Sequence, residues 1–133
     1  MSIFLHFYWF IRKIITVFKM FAITQDESIY NQLVYGIRYL DIRVGYYNLS
    51  GLTENLWVVH DLYRTELTLR SAVEQVKEFL KAAPKEIVIL DFHRFVNGFV
   101  DEDKEIYKNR FKQFFDIISS ELKDLMIPFR YYN

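Results

Sequence analysis

The spacing of hydrophobic and polar residues predicts a helix and then a strand in the first half of the chain. Residues 29–34 have helical spacing, after a capping-box sequence at 24–27 and before Gly36, which ends the helix. Residues 37–46 then alternate in polarity at every second position, as a strand with one buried face does. The polar face of this predicted strand carries Tyr39, Asp41 and Arg43.

A second strand and a second helix are predicted next. After a stretch rich in turn-forming residues, the strand covers 56–60. Apolar residues then recur with helical period from Leu69 until Pro84 ends the helix. Ser71 and Glu74 have the spacing of a capping box, which indicates the start of this helix.

The remainder of the pattern predicts a buried strand and a long helix. Residues 87–92 form a continuous apolar run, which is typical of a strand covered on both faces. Residues 101–126 are amphipathic and are closed by Pro128. Residues 129–133 are predicted to begin a further strand. The order of elements indicates an α/β protein in which the strands separated by a helix pair in parallel. A chain that stops at a new strand resembles part of a larger α/β fold.

The N-terminal segment, residues 1–23, differs in composition from the rest. It is strongly apolar and carries Arg12, Lys13 and Lys19 but no acidic residue. Charges in its middle argue against a transmembrane span, and charges after the apolar run argue against a signal peptide. Three interpretations stay open: a buried or partner-covered helix, a membrane-associated segment, or a non-native start joined to a truncated domain. We predict that it lies outside the folded domain, which then covers 24–133.

Composition and charge exclude several classes of protein. The 133-residue chain is 52% hydrophobic and has no cysteine, which argues against a disordered tail and against a disulfide-stapled scaffold. Its 17 basic and 17 acidic residues cancel, so no nucleic-acid partner is expected. A cytoplasmic or membrane-associated location is favoured, and secretion stays open because secreted proteins can lack disulfides.

Polar side chains are predicted to meet at the carboxyl ends of the strands. Asp41 and Arg43 share one strand face, His60 ends the second strand, and Asp91 and His93 end the third. Because the carboxyl ends of neighbouring parallel strands lie at one edge of a sheet, we expect these groups to converge in one cleft. A carboxylate, a guanidinium and an imidazole together suit phosphoryl chemistry. The structural alternative is a set of interior ion pairs.

Three segments of the sequence resemble a known family. They are YGIRYLDIRVGYY at 35–47, WVVHDLYRT at 57–65 and KEIVILDFHRF at 85–95. In this order and spacing they resemble the X domain of phosphatidylinositol-specific phospholipase C, most closely the animal proteins of the X-domain-only group. The resemblance implies an α/β fold that is part of a TIM-type (β/α) barrel, the PLC-like phosphodiesterase fold.

The resemblance also implies a mechanism and a substrate. In this family one His is the general base for the inositol 2-hydroxyl, a second His protonates the diacylglycerol oxygen, and a cation stabilises the phosphorane. His60 matches the second His, while Asp41 and Arg43 match the D-x-R of the metal-independent branch. Arg43, Asp91 and His93 would bind the phospholipid headgroup, with contact to a membrane surface as a further expectation. No metal and no cofactor is implied, since a guanidinium takes the place of calcium.

The first catalytic His of the family has no match in this sequence. The family has it in a His-Asp or His-Asn motif upstream of the first helix, whereas His6 is followed by Phe7. The sequence also matches only about half of a barrel. We therefore expect this chain to be inactive and a longer product to be a phosphodiesterase. The alternatives are a truncated isoform that binds the headgroup through Arg43, and a gene-model fragment.

Overall fold

The computed structural model describes residues 27–60, 63–99 and 103–127 and shows a mixed α/β fold. The N-terminal segment and the strand predicted at 129–133 lie outside these ranges. No helix within them is both long enough and apolar enough to cross a membrane.

The predicted helices and most of the predicted strands are present. The helices are α1 (Ile29–Val34), α2 (Leu69–Ala82) and α3 (Lys104–Leu122). The strands are β1 (Tyr39–Asp41), β2 (Arg43–Tyr46), β3 (Leu56–His60), β4 (Tyr63–Thr68), β5 (Ile89–Asp91) and β6 (Phe95–Val96). The strand predicted at 37–46 is interrupted at Ile42, and β4 was not predicted, because its residues mix polar and apolar types without a strict alternation.

The helix starts differ from the predicted capping boxes. Ser28 caps α1, and its Oγ accepts a hydrogen bond from the backbone N–H of Asn31 at 3.1 Å. Thr68 caps α2 in the same way, accepting from the N–H of Ser71 at 3.1 Å. Ser71 is thus the third residue of the helix instead of its cap, because Leu69 already packs in the core. Gly36 follows α1 with φ +103°, as the stop signal predicted.

The strands form both parallel and antiparallel pairs. The strands separated by α2 pair in parallel, β1 with β5 and β2 with β6, as predicted. The expectation that the strand of His60 is also parallel is wrong, since β3 pairs antiparallel with β2 and with β4. Residues 47–55 are too few to form a crossover and instead make a hairpin connection.

One face of the sheet packs against the helices and the other does not. Leu40, Ile42 and Val44 are buried in a core shared with the three helices. The expectation that residues 87–92 are covered on both faces is wrong, because Ile87 and Ile89 are 64% and 54% exposed. Their strand segment pairs only with β1 within the described residues, so one edge and one face of it are open.

Candidate active site

The face opposite the helix layer carries the polar residues of β1 and β2. Leu40, Ile42 and Val44 point into the core, so alternation turns Asp41 and Arg43 to the other face. The Arg43 Nη2 atom lies 3.4 Å from Asp41 Oδ2, and both side chains are partly exposed. The guanidinium therefore lies on the open side of the sheet, away from the helices.

The parallel register brings a second carboxylate beside the first. Asp41 lies directly opposite Asp91 in the β1–β5 pair. The Nδ1 atom of His93 lies 3.3 Å from Asp91 Oδ2 and 3.5 Å from Asp41 Oδ1. One imidazole nitrogen thus faces two carboxylates, and the side chain remains 49% exposed.

One additional residue between β5 and β6 helps to place His93. Asp41 pairs with Asp91 but Val44 pairs with Phe95, so the segment after Asp91 is longer by one residue than the segment after Asp41. Phe92 and Phe95 both pack against the core on the helix side. The two residues between them, which include His93, are exposed. An extra residue of this kind redirects side chains, as a β-bulge does.

Tyr39 belongs to the same group of side chains, although the sequence analysis gave it no role. Its hydroxyl donates a hydrogen bond to Asp91 Oδ2. This hydrogen bond raises the pKa of Tyr39, and burial and the charges of Asp91 and Asp41 raise it further. The phenol therefore stays protonated at neutral pH. The sequence signal that could have assigned Tyr39 to the site is its position two residues before Asp41, on the same strand face.

The contacts that the described residues make do not include one between His60 and this group. Val59 lies directly opposite Arg43 in the β2–β3 pair, so alternation assigns His60 to the face of Val58. His60 makes no side-chain hydrogen bond or ion pair with any residue that the structure describes. Of the five residues predicted to converge, the structure brings together Asp41, Arg43, Asp91 and His93.

The assembled residues, here called the Arg43 cluster, are Tyr39, Asp41, Arg43, Asp91 and His93. A guanidinium can neutralise two phosphoryl oxygens through its planar fork. An imidazole can accept or donate a proton near neutral pH. Within the described ranges, no group of three His, Asp or Glu residues has the geometry of a metal site. The catalytic and binding roles of these residues remain predictions.

Comparison with known proteins identifies the family. The family model described as "Phosphatidylinositol-specific phospholipase C, X domain" matches residues 8–123. This match begins inside the N-terminal segment, and the domain boundary after residue 23 stays a prediction. No solved structure matches the chain significantly.

Curated proteins match over a shorter stretch. "PI-PLC X domain-containing protein 1" of Homo sapiens is 36% identical over 74 residues, which are 56% of this chain and 22% of that protein. "1-phosphatidylinositol phosphodiesterase" of Listeria monocytogenes is 37% identical over 75 residues, which are 56% of this chain and 21% of that protein. The chain thus spans about a fifth of the length of these curated relatives. Because the family model covers most of the sequence, the chain belongs to the family of phosphatidylinositol-specific phospholipase C X domains.

Proposed function

We propose that the Arg43 cluster binds the phosphorylated headgroup of a phosphatidylinositol-type lipid. The observation that carries this proposal is the position of Arg43 on the open face of the sheet, beside the partly exposed His93. A cationic fork and an imidazole on one accessible surface can both contact a phosphodiester. The bacterial relative is named a phosphatidylinositol phosphodiesterase, which supports a lipid of this class as the ligand. Binding at such a headgroup would bring the chain to a membrane surface.

The fold supports a place in a larger barrel. The β1–α2–β5 unit has two parallel strands and a helix between them, which is the repeating unit of a (β/α) barrel. The edge of β5 that does not pair with β1 is where a further strand would add. We propose that this chain forms part of a TIM-type barrel of the PLC-like phosphodiesterase fold, with the Arg43 cluster on its inner face.

The proposed reaction of the complete protein is cleavage of the headgroup phosphodiester. Arg43 would stabilise the negative charge of the phosphorane, and Asp41 would orient its guanidinium through their ion pair. The resemblance assigns the general acid to His60, which ends β3 one position beyond the residue opposite Arg43. Alternation along β3 assigns His60 to the other face, and we infer that it does not deliver a proton in this chain. We therefore propose that the 133-residue chain binds the headgroup without turning the lipid over.

Substitution of Arg43 tests the binding proposal. We expect Arg43→Ala to weaken binding of glycerophosphoinositol, a soluble phosphodiester with this headgroup, by roughly 10-fold or more, because charge-assisted hydrogen bonds contribute about 1.5–3 kcal/mol. Titration calorimetry with the purified chain measures the affinity. A parallel titration with inorganic phosphate separates headgroup recognition from simple anion binding.

Lys108→Ala is the matched control for charge. Lys108 lies on α3, is 70% exposed and pairs only with Glu105 three residues away among the described contacts, so its removal should leave binding unchanged. Equal affinities of the Arg43→Ala chain and the unsubstituted chain would contradict the proposal. Equal affinities for glycerophosphoinositol and inorganic phosphate would show an anion site without headgroup recognition.

Removal of calcium should leave this binding unchanged. The positive charge at the site is that of Arg43, which a chelator cannot remove. We expect the same affinity for glycerophosphoinositol with and without an excess of calcium chelator. The same result is expected for hydrolysis by a longer active form. A loss of most of the binding or activity on chelation would show that a metal ion supplies the cation.

A further inference from the structure

The two ring nitrogens of His93 have different surroundings. Nδ1 lies 3.3 Å from Asp91 Oδ2 and 3.5 Å from Asp41 Oδ1. Two neighbouring carboxylates favour a proton on the nitrogen that faces them, so the neutral ring carries its proton on Nδ1. The Nε2 atom then keeps its lone pair. Because the side chain is 49% exposed, Nε2 is the nitrogen available to a ligand.

The carboxylates that face His93 are themselves held by other groups. Asp91 accepts the hydrogen bond of the Tyr39 hydroxyl, and Asp41 is paired with Arg43 through its other oxygen. These contacts restrain both carboxylates and hence the ring. His60 has no comparable partner among the described residues.

We propose that His93 is the general base of this chain, a role that the resemblance assigns to an upstream His with no match in this sequence. The inference rests on the proposed function, because it places the reacting phosphodiester at Arg43. Asp41, Asp91 and Tyr39 are positioning residues that hold the ring and its tautomer. His93 alone among them exchanges a proton with the substrate.

The proposed step involves only the substrate, the imidazole of His93, the guanidinium of Arg43 and water. The inositol 2-hydroxyl oxygen attacks phosphorus and forms a new P–O bond, while its proton passes to Nε2. The bond from phosphorus to the leaving oxygen breaks, which yields the 1,2-cyclic phosphate and the leaving group as an anion. The imidazolium then returns its proton to water. Arg43 neutralises the additional charge of the phosphorane.

The nature of the leaving group separates this role from that of a general acid. The alkoxide of diacylglycerol is a poor leaving group and needs a proton as it departs, whereas 4-nitrophenolate leaves without one. A base and a guanidinium therefore suffice for inositol 1-(4-nitrophenyl phosphate). We expect the chain to release nitrophenolate from this ester, and His93→Ala to slow the release by about 100-fold or more, as general-base catalysis is worth roughly that factor.

The experiment compares the complete chain with its His93→Ala and His93→Gln variants. Nitrophenolate release is followed by absorbance, with Lys108→Ala as the variant that should keep the original rate. Added imidazole should restore part of the rate to His93→Ala, because a free base can enter the space of the deleted ring. The Gln variant keeps a polar side chain of similar size and serves if the Ala variant does not fold.

A spectroscopic measurement tests the tautomer independently of turnover. Nitrogen-15 spectra of the imidazole should show the neutral His93 ring protonated at Nδ1, and Asp91→Asn together with Asp41→Asn should reduce that preference. A ring protonated at Nε2 would overturn the proposal.

The kinetic outcomes separate this inference from the proposed function. If the chain binds glycerophosphoinositol but shows no release of nitrophenolate, or the same rate with and without His93, then the base assignment is wrong while headgroup binding stands. If Arg43→Ala leaves binding unchanged, the proposed function fails and this inference fails with it. A slow His93→Ala variant that imidazole rescues supports both.

Discussion

The 133-residue chain is expected to release no cyclic inositol phosphate from phosphatidylinositol vesicles above the level of its His60→Ala variant. Cleavage of this lipid needs two proton transfers, and each is worth roughly 10²–10⁴ in rate. Among the contacts of the described residues, one imidazole joins the Arg43 cluster, that of His93. The loss of either transfer reduces turnover below detection.

Exposure of the site to solvent is a second reason to expect no turnover, besides the missing proton transfer. The face around Asp41 and Arg43 is open, and neighbouring Ile89 is 54% exposed. Water at this surface raises the local dielectric constant and thereby weakens the electrostatic stabilisation of the phosphorane by the guanidinium. An enclosed site would preserve that contribution.

A longer version provides the matching experiment. We expect turnover when the upstream His-Asp motif of the family and the distal strands are restored. The site is then enclosed and holds a second imidazole, so that one imidazole can act as base while the other acts as acid. The assay is release of cyclic inositol phosphate from the same vesicles. Release by the 133-residue chain above its His60→Ala control would show that its own residues already provide both transfers.

Gly98→Ala is expected to destabilise the fold far more than Gly51→Ala. Both glycines have φ +81°, where an alanine costs about 1–2 kcal/mol. At Gly51 an added Cβ meets nothing within 4 Å, whereas at Gly98 it would lie 2.9 Å from the Cβ of Tyr46 and 3.1 Å from its carbonyl oxygen. The Tyr46 atoms belong to β2 and cannot move without moving the strand.

The difference between the two variants isolates the steric contact from the backbone conformation. We expect about 1–2 kcal/mol for Gly51→Ala and about 3 kcal/mol or more for Gly98→Ala, since overpacking adds roughly 1–3 kcal/mol. Urea unfolding followed by circular dichroism gives both free energies. Equal losses of stability would mean that the turn at Gly98 moves away from β2 at little cost.

The elements with a strong period were predictable from sequence. The period of α2 and its end before Pro84 follow from local spacing, and so does β3. The face of the 37–46 strand was predictable too, because burial of Leu40, Ile42 and Val44 leaves Asp41 and Arg43 on the opposite face. The strand β4 was missed because edge strands with polar residues on both faces lack a clear alternation.

The candidate site, like the fold, could be predicted only in part from the sequence. Sequence alone determined which chemical groups are available, that Asp41 and Arg43 share a face, and that the strands separated by α2 run in parallel. It could not determine that β3 pairs antiparallel with β2. Nor could it determine that Val59, and not His60, lies opposite Arg43. A shift of one residue in register reverses the face of every side chain.

The position of His93 was decided by tertiary structure alone. The pairing of Asp41 with Asp91 and of Val44 with Phe95 leaves one additional residue between β5 and β6. Nothing in the local sequence encodes that count, because it depends on how two segments about fifty residues apart align. The sequence by itself therefore determined the family and the polar residues of this protein. The packing of Phe92 and Phe95 against the helices decided which imidazole lies beside the two carboxylates.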